Sequence, residues 1–345
     1  MSDSPINPRF NKDWKRSKAL LPAAEYIAGI RAGDRVMLSR AITVVESQQE
    51  SHLPIAKAIV EACLPLSGQS FRIGITGAPG AGKSTLIEQL GQQLIQQGHH
   101  IAVLAVDPSS QISQGSILGD KTRMTSLSTH EQAFIRPSPA GSSLGGVAQK
   151  TRETILLCEA AGFDTILVET VGVGQSEVAV HSMVDFFLLL LLPGAGDELQ
   201  GIKRGIVEMA DLILVNKADR ERIELANKAR QAYNNALHLF PPKGNGWTPT
   251  ALTCSALENK GLDQLQASIR KFQELTRNNG SLAAKRHGQA RYWLYQTIDE
   301  HLRSLFFNHP DIQTQLPLFE QAVLDNQRSP FEAAHALIRM FTPKP

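Results

Sequence analysis

The most constraining feature of the sequence is a glycine-rich segment that joins a predicted strand to a predicted helix. The segment is Gly77-Ala78-Pro79-Gly80-Ala81-Gly82-Lys83-Ser84, which matches the pattern G-x-x-x-x-G-K-[ST]. It follows the apolar run Phe71 to Thr76, and helical periodicity begins near Thr85. Glycines let backbone N–H groups wrap closely around an anion, and the helix N-terminus adds a favourable partial charge. The context predicts a phosphate-binding loop, with Lys83 at the β- and γ-phosphates and the Ser84 hydroxyl on Mg²⁺.

The region around this loop has the pattern of an α/β domain. Short apolar runs alternate with helical periodicity, as expected of a mostly parallel sheet flanked by helices. The predicted strands are Phe71–Thr76, Ile101–Val106, Thr165–Glu169, Asp185–Leu192, Leu212–Asn216 and Thr250–Cys254. Two amphipathic stripes predict helices against the sheet: Leu86, Ile87, Leu90, Leu94 and Ile95, then Leu262, Leu265, Ile269 and Phe272.

Helical patterns on both sides of this region predict three parts of the chain. They are a helical extension over 1–68, an α/β domain over 69–280 and a helical segment over 281–345. In the last part, Leu294, Ile298, Leu302 and Leu305 share one side of a predicted helix. Periodicity alone leaves two alternatives open here: a helix that closes the domain, or an arm that pairs with a second subunit.

Composition argues against several classes of protein. The 345 residues carry 35 Lys and Arg against 33 Asp and Glu, a net charge of +2, so no nucleic-acid partner is expected. The three cysteines are far apart and form no C-x-x-C pair, which favours a reducing compartment over a disulfide framework. The longest apolar run, Phe186 to Leu192, is far shorter than the roughly 20 residues that span a membrane. We expect a cytoplasmic protein with no membrane partner.

A second motif predicts which base is bound. Asn216-Lys217-Ala218-Asp219 follows a predicted strand and matches the N-K-x-D pattern of guanine-nucleotide proteins. The Asp219 carboxylate can accept hydrogen bonds from guanine N1–H and N2–H₂, whereas adenine offers no matching pair of donors. Asn216 would brace the loop and Lys217 would lie along the base. Thr253-Cys254-Ser255-Ala256 would place backbone N–H groups near guanine O6, so GTP and GDP are the expected ligands.

Acidic residues follow two further strands at the same predicted edge of the sheet. Glu169-Thr170-Val171-Gly172 stands where a GTPase carries D-x-x-G, so Glu169 would orient Mg²⁺ through a water. The alternative is a strand-terminal acid followed by an ordinary turn. Asp107 follows Ile101–Val106 at the edge where ligands of open α/β sheets collect, and Asp120 lies in the next glycine-rich loop.

The order of these motifs resembles the MeaB/ArgK family of GTPases. The resemblance includes Val106 to Ser110, Gly119 to Met124, Glu169 to Glu177 and Pro193 to Lys203. It spans at least Phe71 to Ala256, and the helical flanks also look like those of the family. The resemblance implies a P-loop NTPase G domain of the SIMIBI type with a C-terminal dimerisation arm. It also implies a GTP-hydrolysing homodimer that loads and protects the cofactor of adenosylcobalamin-dependent methylmalonyl-CoA mutase.

The resemblance also implies roles for individual residues. The residues expected near Mg²⁺ are Ser84, Asp107, Asp120 and Glu169, and those expected in catalysis are Lys83, Asp107, Glu169 and Lys203. Pro193 to Lys203 looks like an extra switch whose working side chains are Asp197, Gln200 and Lys203. Val173 stands where Ras-like enzymes hold the glutamine that orients water, and the sequence identifies no arginine finger. We expect slow hydrolysis until a partner brings Lys203 to the transition-state charge.

Two other functions stay open at this stage. An older label of the family is a kinase or ATPase of lysine, arginine and ornithine transport, although the Asn216-Lys217-Ala218-Asp219 motif argues against ATP. A nickel-delivering metallochaperone GTPase shares the general architecture, but the ten histidines show no ligand spacing. The irregular segment Arg136 to Gly146 is either a partner surface or a loop that enters a helix.

Overall fold

The computed structural model describes residues 20–47, 49–106, 124–137, 144–170, 176–194 and 204–341. The chain divides into two compact units, Met1–Arg286 and His287–Pro345. Within the described residues, no helix combines the length and the apolar character needed to cross a membrane.

Seven strands and thirteen helices form the described part of the chain. The strands are β1 Phe71–Gly77, β2 Ile101–Val106, β3 Ala133–Arg136, β4 Thr165–Thr170, β5 Phe186–Leu191, β6 Leu212–Val215 and β7 Thr250–Thr253. The helices are α1 Ala23–Arg31, α2 Arg35–Glu46, α3 Leu53–Cys63, α4 Lys83–Gln96, α5 Thr125–Thr129, α6 Leu144–Ala160, α7 Ser176–His181, α8 Arg204–Met209, α9 Ile223–Leu237, α10 Leu262–Asn278, α11 Ser281–Phe307, α12 Pro310–Leu324 and α13 Pro330–Phe341.

The strands form one sheet in the order β3-β2-β4-β1-β5-β6-β7, and every pair is parallel. Strand β1 lies between β4 and β5, so the loop that follows it leaves the middle of the sheet. Strands β2, β4 and β5 are buried at every position, as expected when helices cover both faces. The predicted α/β class is confirmed, and the carboxyl ends of all seven strands lie at one edge.

The main hydrophobic core contains the residues of both predicted helix stripes. In α4, Leu86, Ile87 and Leu90 are fully buried against the sheet, and α10 adds Leu262 and Leu265. The Phe272 ring of α10 contacts three other core rings, with centroids 5.0–6.4 Å apart; these rings are Phe71, Phe186 and Trp247. Because the apolar stripes of these helices are buried against apolar strands, the sequence alternates β-strand and helical periodicity over this region.

Strand β3 is missing from the predicted set, and helix ends differ by a few residues. Ala133–Arg136 is a four-residue strand at the edge of the sheet, directly before Pro137, too short for a periodicity signal. Helix α4 begins at Lys83 rather than Thr85, and α6 begins at Leu144 rather than Val147. Most of the irregular segment between Arg136 and Gly146 lies outside the described residues.

The N-terminal helices belong to the first unit, where α2 is tied to the α/β domain by polar contacts. Arg136 of β3 pairs with Glu46, and the Lys150 ammonium of α6 donates to the Val45 carbonyl at 2.5 Å.

In the second unit, α12 and α13 pack against each other. Along α11, the four leucine and isoleucine residues of the predicted stripe are 43–59% exposed; they are Leu294, Ile298, Leu302 and Leu305.

A buried ion pair joins α6 to the start of β1. The Glu159 carboxylate, whose side chain is 0% exposed, accepts from Arg72 Nε at 3.0 Å and from Arg72 Nη2 at 3.1 Å. It also accepts from the Ser70 hydroxyl at 2.5 Å and from the Gly68 N–H at 2.7 Å. Four donors therefore compensate one carboxylate for its loss of water.

We expect Glu159→Ala to lower the free energy of unfolding by about 3–5 kcal/mol, because the Arg72 side chain, only 14% exposed, would lose its partner. Urea unfolding followed by circular dichroism measures the change. The matched control is Glu61→Ala, which removes a 67% exposed carboxylate 3.9 Å from Lys57 and should cost at most about 0.5 kcal/mol. Equal effects of the two substitutions would show that burial of the pair does not stabilise this fold.

Candidate nucleotide-binding site

The glycine-rich loop lies at the carboxyl end of β1 and leads directly into α4. Gly80 and Gly82 adopt φ angles of +78° and +91°, a backbone region that other residues rarely occupy. Helix α4 then begins at Lys83, and the first-turn N–H groups of a helix have no partner within it. The loop and the helix start therefore present backbone donors to one place, as an anion site requires.

The Lys83 ammonium lies back across the loop. Its Nζ donates to the Gly77 carbonyl at 2.7 Å and to the Ala78 carbonyl at 3.2 Å. Within the described ranges, one of its three N–H donors is therefore available for an anion. Burial lowers the Lys83 pKa, and the nearby carboxylates of Glu169 and Glu177 partly oppose that effect. A phosphate would supply the missing compensation for this buried charge.

The Asn216 side chain connects the glycine-rich loop to the loops after β6 and β7. Its Nδ2 donates to the Ala81 carbonyl at 2.8 Å, and its Oδ1 accepts from the Ala256 N–H at 3.0 Å. Burial raises the pKa of the Cys254 thiol to about 12, so the thiol stays protonated and donates to Asn216 Oδ1 at 3.3 Å. Asn216 is 2% exposed, so its amide is used entirely inside the protein.

Asp219 is held at the mouth of the pocket beside the loop that follows β7. Its Oδ2 accepts from the Ser255 hydroxyl at 2.9 Å. Lys217 adopts φ +59°, a left-handed conformation that turns the chain, and the Ala218 N–H donates to the Cys254 carbonyl at 2.9 Å. Two successive loops therefore hold the Asp219 carboxylate in place, as base recognition requires.

The backbone N–H groups of Cys254, Ser255 and Ala256 were expected near guanine O6, but in the structure they donate within the protein. Cys254 donates to the Val215 carbonyl, Ser255 to the Lys260 carbonyl, and Ala256 to the Asn216 side chain. Leu257 follows directly and lines the pocket, and no hydrogen bond from its N–H is found among the described residues. Leu257 is therefore the better candidate for a backbone donor to O6.

Glu169 lies beside Ser84, although 85 residues separate them in sequence. The Ser84 hydroxyl donates to Glu169 Oε1 at 3.3 Å, and Glu169 is 6% exposed. Next to this pair, the Thr170 hydroxyl donates to Thr76 Oγ1 at 2.9 Å and joins the ends of β4 and β1. The structure thus brings together two of the four residues expected near Mg²⁺.

The other expected residues lie outside the part of the chain that the structure describes. Asp107 and Asp120 fall within 107–123, Gly172 and Val173 within 171–175, and Asp197, Gln200 and Lys203 within 195–203.

A pocket of about 590 Å³ opens between the two motif-bearing loops. Its lining consists of Gly82, Thr85, Asn216, Lys217, Asp219, Arg220, Glu221, Arg222, Ala256, Leu257 and Glu258. The pocket therefore joins the helix start after the glycine-rich loop to the residues proposed to read the base. Two features of the site match no sequence motif: the turn at Arg220–Arg222 and Glu177, a 1% exposed carboxylate close enough to influence Lys83. Glu177 lies within Glu169 to Glu177, a segment that resembles the MeaB/ArgK family, and only this resemblance indicates a functional role for it.

Comparison with known proteins decides the family. The family described as "Methylmalonyl Co-A mutase-associated GTPase MeaB" matches residues 38–311. The chain belongs to the MeaB family. It is 51% identical to a putative GTPase of Caulobacter vibrioides, over 90% of this chain and 95% of the relative. It is 46% identical to the mouse protein "Methylmalonic aciduria type A homolog, mitochondrial", over 91% of this chain and 78% of the relative.

A solved structure of a similar protein has the same fold. The crystal structure described as "LAO/AO transport system kinase" is 38% identical, covers 93% of this chain and 99% of its own, and has a TM-score of 0.74. Membership of the MeaB family makes this chain a GTPase that binds guanine nucleotides.

We expect Asp219→Ala to raise the dissociation constant of GDP at least about a hundredfold. The substitution would remove the two charge-assisted hydrogen bonds that Asp219 is expected to accept from guanine, together about 3 kcal/mol or more. Titration calorimetry measures the change, and Glu221→Ala, which removes another carboxylate from the same pocket, is the matched control. A loss of affinity no larger than that of the control would contradict the role of Asp219 in reading the base.

Proposed function

We propose that this MeaB-family GTPase requires Mg²⁺ and serves as a chaperone of adenosylcobalamin-dependent methylmalonyl-CoA mutase, whose cofactor it helps to load and protect. The GTPase activity in this proposal is supported by the pocket. There the Asn216 side chain connects the glycine-rich loop, at Ala81, to the loop after β7, at Ala256. The mutase part is supported by the family description and by the name of the mouse relative.

The residues at the phosphate end suit Mg²⁺. Ser84 and Glu169 offer a hydroxyl and a carboxylate oxygen within 3.3 Å of each other, and oxygen ligands are those that Mg²⁺ prefers. Mg²⁺ in such sites takes few protein ligands because phosphates and waters supply the rest. Among the described residues, no three His, Cys, Asp or Glu side chains come together as a dedicated metal cage. We propose Asp107 and Asp120 as the further acids near the ion.

The chain's own residues would position GTP and stabilise the charge that develops on it. Lys83 would place its available N–H on the β- and γ-phosphates, and the start of α4 would add backbone donors. Bound Mg²⁺ would neutralise charge on the bridging phosphate oxygens. Glu169 would orient that ion, and Lys203 would meet the transition-state charge when a partner rearranges its loop. Slow hydrolysis without the partner follows from this division of roles.

A homodimer is part of the proposal. The exposed apolar stripe of α11 is the surface that supports it, since large exposed apolar patches mark interaction sites. The stripe consists of Leu294, Ile298, Leu302 and Leu305.

A kinase of amino-acid transport is the competing function, because the solved relative carries that description. Such an enzyme would transfer the γ-phosphate of ATP to a protein. The Asp219 carboxylate favours a guanine base, so we keep hydrolysis of GTP as the proposed reaction. Label transferred from ATP to a binding protein, and absent with GTP, would favour the kinase instead.

Purified methylmalonyl-CoA mutase should accelerate GTP hydrolysis by this protein and leave ATP turnover at background. The mutase partner would complete the transition-state contacts that the protein alone lacks. In other GTPases, a contact of this kind raises kcat by about 10³-fold or more. Release of phosphate, with and without mutase, measures the effect. An intact, cobalamin-binding mutase that leaves the rate unchanged would overturn the proposed partner and leave the GTPase assignment in place.

Lys203→Ala should abolish the stimulation by mutase while leaving GDP affinity nearly unchanged, because Lys203 is proposed to act only on the transition state. The matched control is Lys57→Ala, which removes a 75% exposed ammonium on α3. The stimulated rate and the GDP dissociation constant are measured for both variants. Full stimulation of the Lys203 variant would exclude the proposed contact.

A further inference from the structure

A second cavity, of about 560 Å³, lies at the edge of the sheet opposite the nucleotide pocket. Asp185 and Asp211, which immediately precede β5 and β6, place it at the amino ends of these strands. Its other walls come from the ends of α7 and α8, from Phe272 of α10 and from the start of α11. It shares no lining residue with the nucleotide pocket. A ligand in this cavity would therefore not compete with GDP.

The Asp185 carboxylate in this cavity is already fully used. Arg286 donates to it twice, from Nε at 2.8 Å to Oδ1 and from Nη2 at 2.6 Å to Oδ2. The Arg72 N–H donates to the same Oδ2 at 2.9 Å. Asp185 is 0% exposed, so this arrangement balances its charge inside the protein.

Asp211 and Lys243 satisfy each other in the same way. Lys243 Nζ lies 2.6 Å from Asp211 Oδ1 and also donates to the Met209 and Ala210 carbonyls, so its three N–H donors are all used. The second oxygen of Asp211 accepts from the Phe187 N–H at 2.9 Å. This pair leaves no unbalanced charge for a ligand.

Lys285 differs from the other charged residues of the cavity. Its Nζ donates one hydrogen bond, to the Asp185 carbonyl at 2.8 Å, and lies 3.9 Å from Asp211 Oδ2, which is too far for a second. Two N–H donors of this ammonium therefore have no hydrogen-bond acceptor among the residues that the structure describes. Burial lowers the Lys285 pKa although Asp211 and Asp185 oppose that effect, so a bound anion would relieve the cost of its charge.

Ser281 adds a second unused polar group on the same side of α11. Its hydroxyl is buried and has no hydrogen-bond partner among the described residues. Ser281 and Lys285 are four residues apart in α11, a spacing that places two side chains on one face of a helix. An ammonium and a hydroxyl thus line the same wall of the cavity with unused hydrogen-bonding capacity.

The remaining walls favour an organic ligand. Phe272, Met209 and Leu282 offer apolar surface. His181 adds no charge near neutral pH, because burial and the neighbouring Lys285 lower its pKa to about 4. The exposed carboxylate of Glu208 also lines the cavity, and its charge would repel a doubly charged anion more strongly than a singly charged one.

We propose that this cavity is a second ligand site and that it takes a small organic monoanion. The carboxylate of the ligand would bind Lys285 and Ser281, and a short apolar chain would lie against Phe272 and Met209. A cation is disfavoured because the buried carboxylates are already bonded, and inorganic phosphate would leave the apolar wall uncovered. The site is independent of the proposed mutase partner.

Calorimetric titration of the full chain, saturated with GDP and held at constant ionic strength, tests the proposal with hexanoate as the probe. We expect saturable one-to-one binding, with hexanol and inorganic phosphate each at least about tenfold weaker, since a charge-assisted hydrogen bond contributes about that factor. Ser281→Ala should weaken binding severalfold without changing the melting temperature, because this hydroxyl bonds to no group in the described part of the chain. Ser268→Ala, at a half-buried position of α10 outside the lining of the cavity, is the matched control and should bind hexanoate normally. Lys285→Met should remove binding.

Three results would overturn the proposal. They are unsaturable binding of hexanoate, equal affinity of the Ser281→Ala variant and the unsubstituted protein, and binding only when GDP is absent. The Ser281 variant decides the question even if Lys285→Met fails to fold. Neither substitution touches the nucleotide pocket, so GDP affinity reports separately on the GTPase site.

Discussion

Two of the hydrogen bonds that the Asn216 side chain makes hold the functional edge of this protein together. One bond reaches the phosphate loop at Ala81 and the other reaches the loop after β7 at Ala256. Because the amide is buried, losing either bond would leave a polar group unsatisfied. The contact also explains Gly82, since a Cβ at that position would lie 2.5 Å from Asn216 Nδ2. The Asn216 side chain thus connects the loop expected to bind phosphate to the loop expected to contact the base.

The parallel sheet gives its two edges different chemistry. At the carboxyl edge, the loops after β1, β6 and β7 and the end of β4 bring backbone donors, the Glu169 carboxylate and the Asp219 carboxylate to one side. At the amino edge, Asp185 and Asp211 accept main-chain N–H groups and bind cations from distant parts of the chain. The first edge keeps hydrogen-bonding capacity for a nucleotide. The second is nearly balanced internally, and in its cavity Lys285 and Ser281 keep hydrogen-bonding capacity that no described residue uses.

Local patterns predicted the fold and the motifs well because both depend on short stretches of sequence. Six strands lie within a residue of their predicted ends, and the buried stripes of α4 and α10 follow helical periodicity. Strand β3 has only four residues and gave no such signal. Contacts between distant residues could not be predicted: Lys285 meets Asp185 across 100 positions, and Ala256 uses its N–H on Asn216 rather than offering it to a base. These pairings depend on tertiary packing, which periodicity does not encode.

The central claim is that Asn216 organises both the phosphate loop and the loop after β7. The most direct test measures the affinities of the Asn216→Ala variant for GDP and for pyrophosphate, a ligand with no base. Asn227→Ala, on the exposed surface of α9, is the control. If Asn216 holds the phosphate loop in its binding conformation, its loss weakens pyrophosphate at least about tenfold and GDP by more, since a bond to a buried amide is lost at each loop. An Asn216 variant that binds pyrophosphate as tightly as the control would show that the phosphate loop is organised without this bridge.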